Sequence, residues 1–293
     1  MGTLHSSPSE KLFHVINHVF LILISLLFLI PIVMIISTSF MSESESIRRG
    51  STYVLYPYAI DLTAYKILIS KGTVVLNGYK ITLFRVFVGT FLNLLFTATL
   101  AYGLARKTLP GRNLFVTLIF FTMVFGGGLI PNYLLMNAMG LKNSVWVLVL
   151  PTLISTWNLF IMRNFFLTIP DELEESAFID GANIPTILWK IVLPLSLPAL
   201  ATIGLFYSVY HWNEWFTASI YMNDQSKMPI QVILRNLIMT SVIQEMQVDV
   251  SELPPPETLK AAMIVVSTLP ILVVYPFIQK YFVKGALMGS IKG

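Results

Sequence analysis

Residues 19–36 read VFLILISLLFLIPIVMII, eighteen positions with no chargeable side chain and one hydroxyl, Ser25. The block is continuously apolar, so it lacks the alternation of a strand with one wet face. Wound as a helix it reaches about 27 Å at 1.5 Å per residue, close to the roughly 30 Å of a bilayer's hydrocarbon core. Working outward, the run sits in a stretch, 12–42, without Asp, Glu, Lys or Arg. Five more such stretches follow at 86–105, 113–141, 143–162, 191–213 and 261–279. The shortest has 19 residues, and about 20 are needed to cross. One charge-free window is compatible with a buried soluble core. Six are what lipid demands, because a charge at the bilayer centre costs at least about 2.5–3.5 kcal/mol.

Composition agrees. Of 293 residues 55% are hydrophobic and 12% charged, about half the charge of a soluble domain. Closed barrels alternate over about ten positions, which these blocks do not, so helices are expected throughout. The absence of cysteine excludes disulfide scaffolds, thiolate zinc sites and Cys nucleophiles. A net charge of +4, scattered along the chain, gives no reason to expect a nucleic-acid partner. The fold expected is all-α and polytopic: one transmembrane domain over 1–293, with spans at about 14–37, 81–104, 113–136, 145–163, 194–216 and 259–281. The first run is too long for a cleaved secretory leader, and residues 1–11 are read as a polar lead. Gly126, Gly127 and Gly128 ahead of Pro131 predict a bend in the third span. Pro151 falls within the fourth. The stretch 38–78 is expected to fold onto the membrane surface, and ELPPPE at 252–257 to be extended.

Short loops set orientation. The link after span two carries Arg106, Lys107 and Arg112 with no acid, and the tail carries Lys280, Lys284 and Lys292 with none. Six spans put both on one side. That predicts a bacterial plasma-membrane protein with both termini, and residues 164–193, in the cytoplasm.

The most informative loop is TIPDELEESAFIDGANIPTILWKIVLP, residues 168–194. Thr168 is the expected N-cap, with Pro170 in the first turn. Asp171, Glu172, Glu174 and Glu175 then suit a helix N-terminus. Leu173 and Ala177 share a face. Gly181 stops the helix, and Asn183 caps a second, with Pro185 in its first turn. The expectation is helix, sharp glycine turn, helix: a compact knob suited to transmitting force.

This stretch resembles the cytoplasmic loop of the membrane-spanning subunits of binding-protein-dependent ABC importers. The family pattern is Glu-Ala-Ala, three residues, Gly, nine residues, Ile-x-Leu-Pro. Here Glu175, Ser176 and Ala177 precede Gly181, and Ile191, Leu193 and Pro194 follow. Ser176 for the first alanine is the one departure. The IDGA at 179–182, AYGLARKTLPGR at 101–112, IPNYLLMNAMGLKNSVWVLVLP at 130–151, HWNEWF at 211–216 and the tail from Lys280 resemble the carbohydrate-uptake branch, nearest the second permease of heterodimeric oligosaccharide importers. The resemblance implies a type I importer permease: a non-catalytic pore subunit. It pairs with a related second permease and rests on two ATPase subunits that hold ATP and Mg. An extracytoplasmic solute-binding protein delivers an oligosaccharide, with an alginate-like polyuronate fragment among the possibilities. No cofactor is implied on this chain itself. The coupling residues implied are Glu174, Glu175, Ser176, Ala177, Phe178, Asp180, Gly181 and Ala182, with Ala177 and Phe178 supplying docking area. For Asp180 an ATPase contact and a local cap are both open.

Independently, the chain has no GxxxxGK[ST] run, so it has no such cradle for ATP. Candidates for the substrate pathway are Asn132, Tyr133, Trp157, Asn158, Asn213 and Glu214, since amides and aromatic rings suit sugar hydroxyls and faces. Helix–helix hydrogen bonding, and for Glu214 an interfacial belt beside Trp212 and Trp215, explain them equally. His14 and His18 lie one turn apart with no evident third ligand, so no metal is expected. The rival reading is an ion-coupled secondary sugar transporter, which would favour ionisable residues within spans.

Overall fold

The computed structural model describes residues 8–50, 52–70, 74–239 and 254–290. The chain divides into two compact units, Met1–Thr73 with Asn236–Leu269 and Val74–Arg235 with Pro270–Gly293.

In the first unit α1 (Pro8–Thr38) is apolar on every face, and its span Ser9–Thr38 buries none of its most apolar window. That pattern is stable only against lipid or another protein. The polar lead is therefore helical from Pro8; residues 1–7 lie outside the described residues. The far end of α1 is tied into a polar knot. Thr38 Oγ1 accepts from Val54 N at 3.0 Å, Asp61 N donates to Phe40 O at 2.9 Å, and Ser39 Oγ meets Tyr65 Oη at 2.6 Å. Two short helices follow, α2 (Glu43–Arg49) and α3 (Thr63–Ile69). Ser42 caps α2, and Glu45 sits where a capping-box carboxylate belongs. Yet Glu45 is buried and accepts from Tyr58 N through both oxygens at 3.0 Å. Arg49 neutralises it at 3.2 Å and lies 3.8 Å from the Tyr58 ring centroid.

The second unit begins with α4 (Val74–Phe84), which runs through a π-helical turn, Arg85–Gly89, into α5 (Thr90–Ala105). Val74–Ala105 is thus one long helix, starting earlier than expected. The third span is broken as its glycines predict: α6 (Arg112–Val124) and α7 (Leu129–Ala138) meet at 111°. The fourth starts as 3₁₀ turns, Val145–Leu148 and Leu150–Thr152, and bends by 50° into α8 (Thr156–Phe166). The loop helices are α9 (Asp171–Ile179) and α10 (Ile184–Ile187). A second π turn, Leu188–Val192, leads to α11 (Leu193–Leu195), and an 84° bend at Ser196 opens α12 (Leu197–Asn213). Pro194 and Pro198 flank that bend. Then come α13 (Phe216–Tyr221), α14 (Ile230–Met239) and α15 (Pro256–Ser290); α14 from Asn236 and α15 up to Leu269 belong to the first unit. Of the expected extended ELPPPE, Glu252 and Leu253 lie outside the described residues, and Pro256 opens α15, a position where its missing N–H costs nothing. Among the described residues, by length and composition, there are three helices able to span, or up to six if each bent pair crosses once.

The core of this unit joins α5, α8 and α12 through Ala98, Ala101, Leu159, Met162, Ile203 and Tyr207. Small residues let membrane helices approach closely. One close approach is at Gly89, where an added Cβ would lie 2.6 Å from His211 Nε2. Gly89→Ala must therefore push α12 away, an overpacking penalty of about 1–3 kcal/mol. The expected result is a Tm several degrees lower for the purified complex in detergent; an unchanged Tm refutes it.

Candidate functional site

The knob forms at the expected place. Its N-cap is Pro170 rather than Thr168: the Thr168 hydroxyl turns back to Phe165 O at 2.7 Å, and Pro170, at ψ 132°, sets the helix start without a side-chain bond. Asp171, Glu172 and Glu174 fill the first turn, where the positive end of the helix dipole favours them. The C-terminus is a Schellman turn. Gly181 stands at φ +80°, its N–H reaches Phe178 O at 3.0 Å, and Ala182 N–H reaches Ala177 O at 2.9 Å. Asn183 Oδ1 then accepts from Thr186 N at 3.0 Å and caps α10.

Ala177 faces inward at 7% exposed, packed with Ile187, Leu188 and Val192. The outward face carries Phe178 at 41%, Ile184 at 48% and Ile179 at 86% exposed. Ser176 Oγ bonds to Glu172 O at 2.8 Å, and Asp180 is an exposed C-cap. Glu175 is exposed. Glu174 points back into the protein, 3.7 Å from Arg106 at the end of α5. The Arg106 guanidinium also lies 5.2 Å from the Phe178 ring. Together these fasten α9 to α5 and leave a cleft of about 400 Å³ lined by Tyr102, Arg106, Phe166, Glu175 and Phe178.

Lys107 and Asp171, which also line this cleft, pair at 2.6 Å, and the bond to Asp171 raises the Lys107 pKa. Both side chains are more than two-thirds exposed, so solvent screens the pair. Lys107→Ala is expected to leave both Tm and ATPase co-purification unchanged; a loss of either would contradict this.

A second constellation runs along α5 and α12. The break in span four frees backbone groups that lipid cannot satisfy. Asn93 Nδ2 donates to Thr152 O at 2.6 Å and Leu153 O at 2.8 Å. Ser155 N donates to Tyr207 Oη at 2.9 Å, and that oxygen also meets Thr97 Oγ1 at 2.8 Å. Since Asn93 Oδ1 is an acceptor, His211 Nε2 must carry the proton of their 2.6 Å bond. Farther along, the fully buried Arg85 donates to Glu214 O at 2.7 Å and to Glu214 Oε2 at 2.5 Å.

Over residues 1–287 the chain matches the family described as binding-protein-dependent transport system inner membrane component. The chain belongs to this family. It is 45% identical over 289 residues to the polygalacturonan/rhamnogalacturonan transport system permease protein YtcP of Bacillus subtilis (strain 168), covering 97% of this chain and 99% of that one. Protein LplC of the same organism is 42% identical over 293 residues, 99% and 98% of the two chains. A chain in the crystal structure of a bacterial ABC transporter involved in the import of the acidic polysaccharide alginate is similar at TM-score 0.84 and 34% identity, over 96% of this chain and all of that one. The architecture is that of a type I importer permease. This permease is a multi-pass inner-membrane protein without a catalytic step of its own, and at family level its work involves a permease pair, ATPase subunits and a solute-binding protein. Membership sets aside the ion-coupled reading.

The permease's pathway candidates occupy varied surroundings. Asn132 and Trp157 are exposed. Tyr133 stacks on Tyr221 with centroids 5.6 Å apart. Asn158 is buried, its N–H bonded to Ser155 Oγ. Asn213 is exposed and bonds within its own helix to Val209 O at 2.9 Å. Glu214 is engaged by Arg85. His18 Nδ1 donates to His14 O at 2.6 Å, and among the described residues no group of three or more His, Cys, Asp or Glu is placed to hold a metal. Arg85, Asn93, Tyr207 and His211 escaped the sequence reading of sites. A signal existed: Arg85 and Glu214 are the charges that bound the second and fifth charge-free windows.

Proposed function

We propose that this chain forms half of the translocation pathway for an acidic oligosaccharide, delivered by an extracytoplasmic solute-binding protein and driven by ATP hydrolysis on separate subunits. It is a permease component of an ABC-type carbohydrate import system. The reading of the ligand as acidic is supported by two relatives similar over nearly the whole chain, one named for polygalacturonan and rhamnogalacturonan and one for alginate. The observation that carries the mechanism is the knob: a capped helix ended at Gly181, with Glu175, Phe178 and Ile179 turned outward. We place residues 164–193 and both termini in the cytoplasm. The full assembly we propose is this permease, a related second permease, two ATPase subunits and one binding protein, all in and around the lipid bilayer.

Coupling runs through Glu174, Glu175, Ser176, Ala177, Phe178, Asp180, Gly181 and Ala182, with Ile179 added as the most prominent contact. ATP-driven closure of the ATPase pair moves the knob. The bias arises because the knob contacts the open and closed ATPase pairs differently. In one state the pathway faces inward; binding-protein docking with ATPase closure turns it outward, and hydrolysis resets it. Sugar passes Asn132, Trp157 and Asn213, with Tyr133, Asn158 and Glu214 behind them. The deciding experiment is a ligand screen of the solute-binding protein that works with this permease against neutral and uronate oligosaccharides, followed by ATP-dependent vesicle uptake. Preference for neutral sugars overturns the substrate class. Uptake driven by an ion gradient without ATPase overturns the mechanism.

A further inference from the structure

The contacts of Arg85 and Glu214 go beyond pairing. Glu214 ends α12, and its Oε1 accepts from Thr217 N at 2.7 Å, so it also caps α13. Its other oxygen and its carbonyl hold Arg85, at the start of the π turn. One carboxylate thus joins three pieces: the end of α12, the start of α13 and the turn between α4 and α5. Helix α13 in turn carries Tyr221, whose ring stacks on Tyr133 of α7, and Tyr221 O accepts from Asn143 N at 2.9 Å. The position of α7, and of Asn132 on it, therefore depends on where Glu214 is held.

The joint is far from the knob. Arg85 precedes Arg106, which touches Glu174, by 21 residues of almost continuous helix, or roughly 30 Å at 1.5 Å per residue. Between them, α5 is bolted to the break of span four by Asn93 and to α12 by Thr97 and His211. Arg85 Nε and His211 Nδ1 are buried without a hydrogen-bond partner. A buried ion pair is a poor device for stability; its best-attested use is to fix one arrangement against another.

We propose that Arg85, acting through Glu214, is the positioning residue that keeps α13 and α7 in register with α5 and α12, so that displacement at the knob reaches the far end of the bundle. This rests on the proposed function, and its central test does not need the substrate.

The chain has no cysteine, so Asn132→Cys supplies a single thiol on it. The assembled complex, with partner permease and ATPase subunits in vesicles, is labelled at that thiol with and without ATP. In the otherwise native protein the labelling rate depends on ATP. Adding Arg85→Lys, or Arg85→Gln, abolishes that dependence, while ATP hydrolysis without binding protein and subunit co-purification stay native; uptake falls about tenfold or more. A native ATP dependence of labelling in Arg85→Gln overturns the inference, as does a native rate that ignores ATP. Parallel loss of assembly, hydrolysis and labelling in both variants also overturns it, since that marks a merely structural pair. Absence of sugar uptake by the native complex, with labelling still ATP-dependent, defeats the substrate reading and leaves this inference standing.

Discussion

Gly181→Val is expected to abolish ATP-dependent uptake and to release the ATPase subunits during purification. Gly181 adopts φ +80°, a region in which a side chain costs about 1–2 kcal/mol per residue and a β-branched one more. No neighbouring atom lies within 4 Å of an added Cβ, so crowding contributes nothing and the penalty is conformational. The backbone can relieve it only by leaving the left-handed region. That breaks the bonds from Gly181 N to Phe178 O and from Ala182 N to Ala177 O. The angle between α9 and α10 then changes, and the outward face turns away from its partner. Gly181→Asn is the matched control, because Asn tolerates this conformation best among side-chain-bearing residues; it is expected to keep at least part of the coupling. Native uptake and native subunit recovery in Gly181→Val would falsify the assignment of this turn.

Ile179→Asp should have an effect nearly as large by another route. At 86% exposed, Ile179 is the most prominent large apolar side chain of the knob. Seating it fully in a partner groove is worth about 1.5–3 kcal/mol, and a buried carboxylate without a counter-charge costs more. ATPase co-purification is expected to fall at least about tenfold, with the permease's own Tm unchanged, since Ile179 supports nothing inside the chain. Equal loss of Tm would show that the side chain is structural. Undiminished co-purification would show that the ATPase docks elsewhere.

The six apolar runs were legible because lipid imposes a negative rule, the absence of charge, that one sequence displays directly. Glycine and proline positions also announced the break at 125–128, although not its angle, which depends on packing between helices; the bend at Ser196, inside the expected span 194–216, was not foreseen. The knob's glycine turn and its Asn183 cap were local, and local chemistry is what a sequence shows best. The start of α9 was misplaced because Thr168 and Pro170 both offer an acceptable beginning, and the choice turned on a hydroxyl bond to Phe165 O. The inward phase of Ala177 and the outward phase of Ile179 were hidden by the shortness of α9, nine residues, too few for periodicity to define a face. Arg85 was missed for a different reason. Counting windows without charge discards the residues at their edges, and its partner lies 129 positions away, a separation no local pattern can bridge.

The broken fourth span also constrains biogenesis. As synthesis proceeds, Thr152, Leu153 and Ser155 emerge before Tyr207 exists, 52 residues downstream of Ser155. Until then, the Ser155 amide has no phenol to meet, and α8 with 11 residues is too short to cross alone. The segment must wait in the insertion machinery, or in contact with α5 and its Asn93, for the following span to arrive. A ribosome stalled between these two points would leave the nascent chain open to quality-control proteolysis.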